Sequence, residues 1–247
     1  MPVYNPPLRD MQFVMHEVLN VTADFQGMPQ HVEVDAETIN AVLEEAGKFA
    51  SQVIFPLNIR GDTEGCKLDK KTHEVTTPKG FKEAYKTYVD GGWAALSCDP
   101  EFGGQGLPLV VNQCLYEMMN SANQAWTMYP GLTHGAYASL HTHGTPEQKA
   151  TYLAKMTSGE WTGTMCLTEP HCGTDLGLMR TKAEPQADGT YKITGNKIFI
   201  SAGEHDMAPN IIHLVLARLP DAPPGIKGIS LFVVPKFLVN ADGSLGE

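Results

Sequence analysis

WTGTMCLTEPHCGTDLG, residues 161–177, marks the point where the hydrophobic period of this chain changes. Residues 161–167 read as a buried strand, and residues 168–175 as the tight turn that follows it. Pro170 has no N–H and so ends ladder pairing, while Gly173 permits a turn that side chains resist. Such a turn can aim several backbone N–H groups at one point, making a nest for phosphate, with the Thr168 and Thr174 hydroxyls as further donors. The same residues also fit a plain strand-to-loop connection with capping hydroxyls.

Upstream of this stretch the chain reads as helical. Within 35–55 the apolar residues Ile39, Val42, Leu43, Ala46, Phe49, Ala50 and Val53 recur at three- and four-residue steps, the period of one helix face. Asp35 suits the N-cap and Pro56 closes the segment. A lysine-rich, solvated stretch leads to a second helix near 81–89. A third starts at Pro108, with Met118 and Met119 in a stripe that suits core packing, and a short one follows over 131–140. Thr145, Pro146 and Gln148 form a helix start signal; that helix runs to Met156 and stops at Gly159.

Downstream, strands are expected at 179–183, 191–193, 197–201, 211–217 and 229–234, bounded by Gly, Pro, Asn and Asp. A helical half followed by a β half predicts an α+β chain with two segregated domains, 1–158 and 159–247. Within 197–201, alternation would set Phe199 and Ser201 on one face and Ile198 and Ile200 on the other. An aromatic ring two residues from a hydroxyl could shield a planar cofactor while the hydroxyl bonds its edge. An aromatic core residue beside a surface serine is the plainer alternative.

Composition narrows the function classes. The 247 residues are 42% hydrophobic and 19% charged, as in ordinary globular proteins. The net charge of −10 disfavours gripping nucleic acid or an anionic membrane. No apolar run approaches the roughly 18 residues of a membrane span, and the N-terminus lacks a secretory or transit pattern, so a cytoplasmic location is expected. Five cysteines without paired short spacings read as free thiols. His134, His141 and His143 lack the spacing of a helical zinc pair, and Cys166, His171 and Cys172 lack a second motif, so no metal is expected. There is no P-loop, Rossmann or G-x-S-x-G signature.

Three stretches together resemble the acyl-CoA dehydrogenase family: GWAALSCDPEFGGQGLPL at 92–109, MCLTEPHCGTDLG at 165–177 and GNKIFISAG at 195–203. The second is similar to the family's TEP-x-x-GSD flavin loop and the third to its G-x-K-x-W-I-[ST]-N-G strand. Details such as HGTPEQKATYL and SGEWTGTMCLTEP are most similar to the larger bacterial branch with 3-methylthiopropanoyl-CoA dehydrogenase-like enzymes. The resemblance implies an N-terminal helical domain and a β-barrel or sandwich-like middle domain, incomplete at its end, with the C-terminal helical domain absent.

It also implies FAD as cofactor. Thr168 would bond the pyrimidine edge of the flavin, Ser201 would bond near N5, Phe199 would cover the ring face away from substrate, and Thr174 would contact phosphate. Met165 and Leu167 match positions that line the flavin and acyl site. Phe199 stands where the family usually has Trp, Ser201 where it often has Thr, and His171 and Cys172 replace small residues.

The implied reaction oxidises an acyl-CoA thioester to the trans-2-enoyl product. A glutamate takes the α-proton and the β-hydrogen leaves as hydride to the flavin. An electron-transferring flavoprotein would receive the electrons, and the full-length protein would be a homo-oligomer. In the family that glutamate lies in the C-terminal domain, so no catalytic residue is assigned here, and Glu169 is not taken as the base. Met1 reads as a natural start and the end as a truncation, split gene or cut, with weak FAD retention and no activity expected of the chain alone. Alternatives are an acyl-CoA oxidase or flavin monooxygenase of the same fold, or a non-catalytic binding module.

Overall fold

The computed structural model describes residues 3–246. Met1 and Glu247, the two ends discussed above, lie outside the described residues. The N-terminal region begins with α1 (Leu8–Gln12), which runs into a π-helical turn (Phe13–Val18) and then α2 (Val21–Gln26). α3 (Ala36–Lys48) starts at the expected cap, where the Asp35 carboxylate accepts the Thr38 N–H at 2.8 Å. That bond satisfies a donor the first turn leaves unpaired. The helix expected over 35–55 is α-helical only to Lys48. A π turn (Phe49–Ile54) and a 3-10 turn (Phe55–Leu57) carry it past Pro56, with Phe49, Ala50 and Ile54 buried. After α4 (Asn58–Glu64), the lysine-rich stretch makes a short ribbon of β1 (Lys67–Leu68) and β2 (Val75–Thr76), and α5 (Phe81–Asp90) follows.

α6 (Leu109–His143) replaces the two separate helices expected over this stretch. Its interruption lies at Asn123, with φ −160° and ψ 85°, and not near residue 131. The Asn123 side chain donates to the Ile54 carbonyl at 3.0 Å and accepts the Trp126 N–H at 3.0 Å. It therefore acts as an internal N-cap for the second half of the helix. Val111, Leu115, Met118 and Met119 are fully buried, so the methionine stripe is core. Trp126 sits at the centre of that core. Its ring meets Phe49 and Tyr88 edge-on, both at 5.7 Å, and its Nε1–H donates to the Phe81 carbonyl at 3.2 Å. α7 (Pro146–Thr157) starts with the expected capping box: Thr145 and Gln148 each bond the other's backbone N–H.

The strands that follow are β3 (Trp161–Cys166), β4 (Lys182–Pro185), β5 (Tyr191–Thr194), β6 (Asn210–Arg218) and β7 (Ile229–Pro235). They form one five-stranded sheet organised around β6. β3 runs parallel to β6, from Trp161 opposite Asn210 to Cys166 opposite Val215. β7 runs antiparallel along the other edge, and β4 touches β6 only at Lys182 opposite Arg218. β4 and β5 make an antiparallel hairpin across the 187–190 turn. The strand expected at 179–183 thus begins three residues later, and the one expected at 197–201 does not form. Gly163 of β3 packs against α6, where an added Cβ would stand 2.6 Å from the Ala136 methyl. No helix among the described residues is long and apolar enough to cross a membrane.

Candidate functional site

β3 delivers the chain into a turn closed on itself. The Glu169 N–H donates to the Cys172 carbonyl at 2.8 Å and the Cys172 N–H returns to Glu169 at 3.2 Å, with Pro170 and His171 at the tip. Two amides of the expected nest are therefore consumed inside the turn, and the Gly177 N–H is taken by the Asp175 carboxylate. Gly173 folds back beneath the Thr168 side chain, where an added Cβ would stand 3.3 Å from its methyl. Thr174 follows it and is exposed.

Residues 195–201 lie alongside this turn without being a strand. Phe199 has φ 57° and Ala202 φ 56°, left-handed conformations that end the two-residue alternation from which a shared face for Phe199 and Ser201 was expected. Among the described residues no strand pairs with the segment, so ladder bonds do not hold it extended. It is tethered by the Ile198 N–H to the Thr168 carbonyl at 2.9 Å and by the Thr164 hydroxyl to the Ser201 carbonyl at 2.6 Å. These two bonds still bring Thr168, Phe199 and Ser201 to one region. Phe199 is 87% exposed, while Thr168 and Ser201 are half-buried. Leu167 is half-buried in the same connection. Met165 faces the core edge and packs on the cluster containing Trp161 and Leu214.

Glu169 and Lys197 were not foreseen as a pair. Lys197 Nζ lies 3.0 Å from a Glu169 carboxylate oxygen and donates also to the Leu167 carbonyl at 3.0 Å. The Arg180 N–H, the Thr181 N–H and the Thr181 hydroxyl complete the donors to that carboxylate. Burial pushes the Glu169 carboxyl up, but the Thr181 hydroxyl, the Arg180 N–H, the Lys197 ammonium and the Thr181 N–H outweigh it and bring it to about 2. A carboxylate 3% exposed, held by these four donors and shifted down to about 2, is a poor acceptor for a substrate proton. Glu169, His171 and Cys172 present ligand atoms within 4.8 Å of one another, but the Glu169 carboxylate is already engaged by Lys197, Thr181 and the Arg180 N–H. One signal in the sequence pointed this way: Glu169 and Lys197 are lone charges inside otherwise apolar or turn-forming motifs.

His205 is another titratable group near the sheet. Its Nδ1 accepts the Met207 N–H at 3.2 Å, which assigns the proton to Nε2, 2.9 Å from the Thr162 hydroxyl. Burial dominates and lowers its pKa to about 4. The unfolded chain therefore binds the extra proton below about pH 6.5 while the native state refuses it down to about 4, so stability falls as pH drops through that window. The urea midpoint should decline between pH 7 and pH 4.5, and His205→Gln should flatten the decline. An unchanged slope in the variant would assign the effect elsewhere, His213 being the next candidate because burial lowers it too.

The site is an open face. Cavities of about 620 Å³ over Phe49 and Trp93, about 720 Å³ beside Arg218 and about 730 Å³ beside Tyr191 and Phe232 lie away from Thr168, Phe199 and Ser201. Its hydroxyls, remaining turn amides and exposed aromatic ring suit a planar cofactor with a phosphate tail.

Residues 36–160 match the acyl-CoA dehydrogenase N-terminal domain and residues 164–243 the acyl-CoA dehydrogenase middle domain. The chain belongs to the acyl-CoA dehydrogenase family, a family of FAD-dependent oxidoreductases. It is 46% identical to a 3-methylmercaptopropionyl-CoA dehydrogenase of Ruegeria pomeroyi over 99% of its own length and 41% of the relative's. It is 40% identical to a butyryl-CoA dehydrogenase of Syntrophomonas wolfei, over 97% of this chain and 39% of that one. The solved butyryl-CoA dehydrogenase of Megasphaera elsdenii superposes with a TM-score of 0.66 at 25% identity, covering 80% of this chain and 48% of that one. The chain thus spans about two fifths of the length of these curated relatives, and the resemblance to the larger bacterial branch holds.

Proposed function

We propose that the face formed by Thr168, Phe199 and Ser201 receives the isoalloxazine of FAD in an acyl-CoA dehydrogenase that oxidises an acyl-CoA thioester to the trans-2-enoyl-CoA. One observation carries the reading. A large aromatic ring, 87% exposed and on a left-handed backbone, stands next to two half-buried hydroxyls inside motifs shared with the family. Such exposure and strain persist where a site uses them. FAD, when bound, supplies the redox chemistry. The chain's own residues do the rest: Ser201 and Thr168 offer hydroxyls to the flavin edge, Phe199 covers one face, and Thr174 with the free amides of the turn meets phosphate. Leu167 and Met165 form the apolar side. Glu169 is not taken as the base, being buried, paired with Lys197 and bonded by Thr181 and the Arg180 N–H, and no catalytic base is assigned to this chain.

The rest of the proposal concerns the whole protein: a helical domain at 1–158 and a β domain at 159–247, an acyl-CoA substrate, an electron-transferring flavoprotein as electron acceptor, homo-oligomeric assembly and a cytoplasmic location. Titration of the chain with FAD, read by quenching of flavin fluorescence, tests the core of it. Ser201→Ala should weaken binding by about 2–10-fold, the worth of one net hydrogen bond. Phe199→Ala should weaken it by about 10-fold through lost ring contact. Uptake that ignores both substitutions would remove the flavin from this face.

A further inference from the structure

We infer that the buried Glu169–Lys197 pair is a positioning device: it pins residues 195–201 against the 168–172 turn, so that FAD affinity depends on two side chains behind the face that meets the cofactor. This rests on the flavin reading above.

Residues 195–201 carry two of the three residues of the proposed isoalloxazine face, Phe199 and Ser201, yet among the described residues no strand pairs with them. The segment also contains the left-handed Phe199 and is followed by the left-handed Ala202. Residues in such conformations persist only where their surroundings over-determine them. Two of the fastenings are single bonds at its far end and middle, from Thr164 to the Ser201 carbonyl and from the Ile198 N–H to the Thr168 carbonyl. The third is Lys197, whose ammonium bridges the Leu167 carbonyl and the Glu169 carboxylate, with side chains 10% and 2% exposed.

Glu169 acts on the segment a second time through Thr181. The Thr181 hydroxyl donates to it, and Thr181 forms the floor on which Gly195 rests so closely that no Cβ fits there. One carboxylate therefore holds both the start of the segment and its lysine. A buried ion pair gains little net stability after desolvation, and its best-supported use is to fix register. Here the register is that of Phe199 and Ser201 relative to Thr168.

Hydrogen exchange at the Ile198 amide and FAD titration, run on the chain and on Glu169→Gln, Lys197→Met and Lys197→Arg, decide the matter. The expected result for Lys197→Met is exchange at Ile198 faster by about tenfold or more, with the β3 amides unchanged, and FAD binding weaker by a similar factor. Glu169→Gln should do the same or more, whereas Lys197→Arg, which keeps the cation, should stay within about threefold of the parent. If Glu169→Gln does not fold, Lys197→Met carries the test, since the carboxylate then keeps its backbone and Thr181 donors. Parent-like exchange and affinity in Lys197→Met overturns the proposal. So does equal deprotection of Ile198 and β3, because the pair would then hold the sheet and not the segment. If the parent takes up no FAD, the flavin reading fails by itself while Ile198 exchange still decides whether the pair clamps the segment.

Discussion

Trp126→Ala is expected to lower the unfolding free energy by about 3–5 kcal/mol, the range for emptying a fully buried large aromatic site. The indole is 0% exposed and is walled by Phe49, Tyr85 and Tyr88 at 5.7–6.5 Å between ring centres. These rings come from the π turn after α3 and from α5, so the cavity would open where three elements meet and none can close it alone. The Phe81 carbonyl would also lose its indole donor, a further loss on the order of 1 kcal/mol. Trp126→Phe keeps most of the ring packing and should cost visibly less. Urea unfolding followed by far-ultraviolet circular dichroism gives both values. A loss below about 1 kcal/mol for the alanine variant would mean that the aromatic cluster repacks freely, contrary to the close packing of such cores.

Gly163→Val is expected to cost about 3 kcal/mol, the upper end of ordinary overpacking. An added Cβ would stand 2.6 Å from Ala136 Cβ and 2.9 Å from the Met156 methyl. Met156 can swing away, but the Ala136 methyl is fixed to the α6 backbone and cannot. The strand and helix would have to separate, stretching the Gly163 N–H bond to the Thr133 hydroxyl, now 3.1 Å. Ala136→Gly should recover part of the loss, although glycine within a helix itself costs about 1 kcal/mol. A double-mutant cycle measures the recovered part as a coupling energy. Zero coupling would place the strain elsewhere than at this crossing.

The elements that were legible in the sequence are those whose cause is local. Asp35 and Thr145 cap their helices because each side chain needs only an N–H three residues away. β3, β5, β6 and β7 formed close to their expected limits because apolar runs between turn residues leave few alternatives. The residues of the proposed flavin face were named from motif likeness, and the bonds between 164 and 201 and between 168 and 198 bring Thr168, Phe199 and Ser201 to one region.

Elsewhere a correct local pattern met a distant constraint. Residues 197–201 alternate as a strand should, but no neighbour supplies a ladder and Phe199 turns left-handed. The break in α6 falls at Asn123 because its amide reaches the Ile54 carbonyl, 69 residues away in sequence. No helical period contains that contact.

By itself, then, the sequence determined that helices precede a sheet, where most of them begin, and which motifs place the chain in its family. These depend on side-chain period, capping and turn chemistry within a few residues. Only the tertiary structure decided that Glu169 is a buried, ion-paired anchor, that Lys197 points inward to it across 28 residues, and that Phe199 stands outside. Those outcomes follow from desolvation and from competition for hydrogen-bond donors, which exist only once distant segments share one interior.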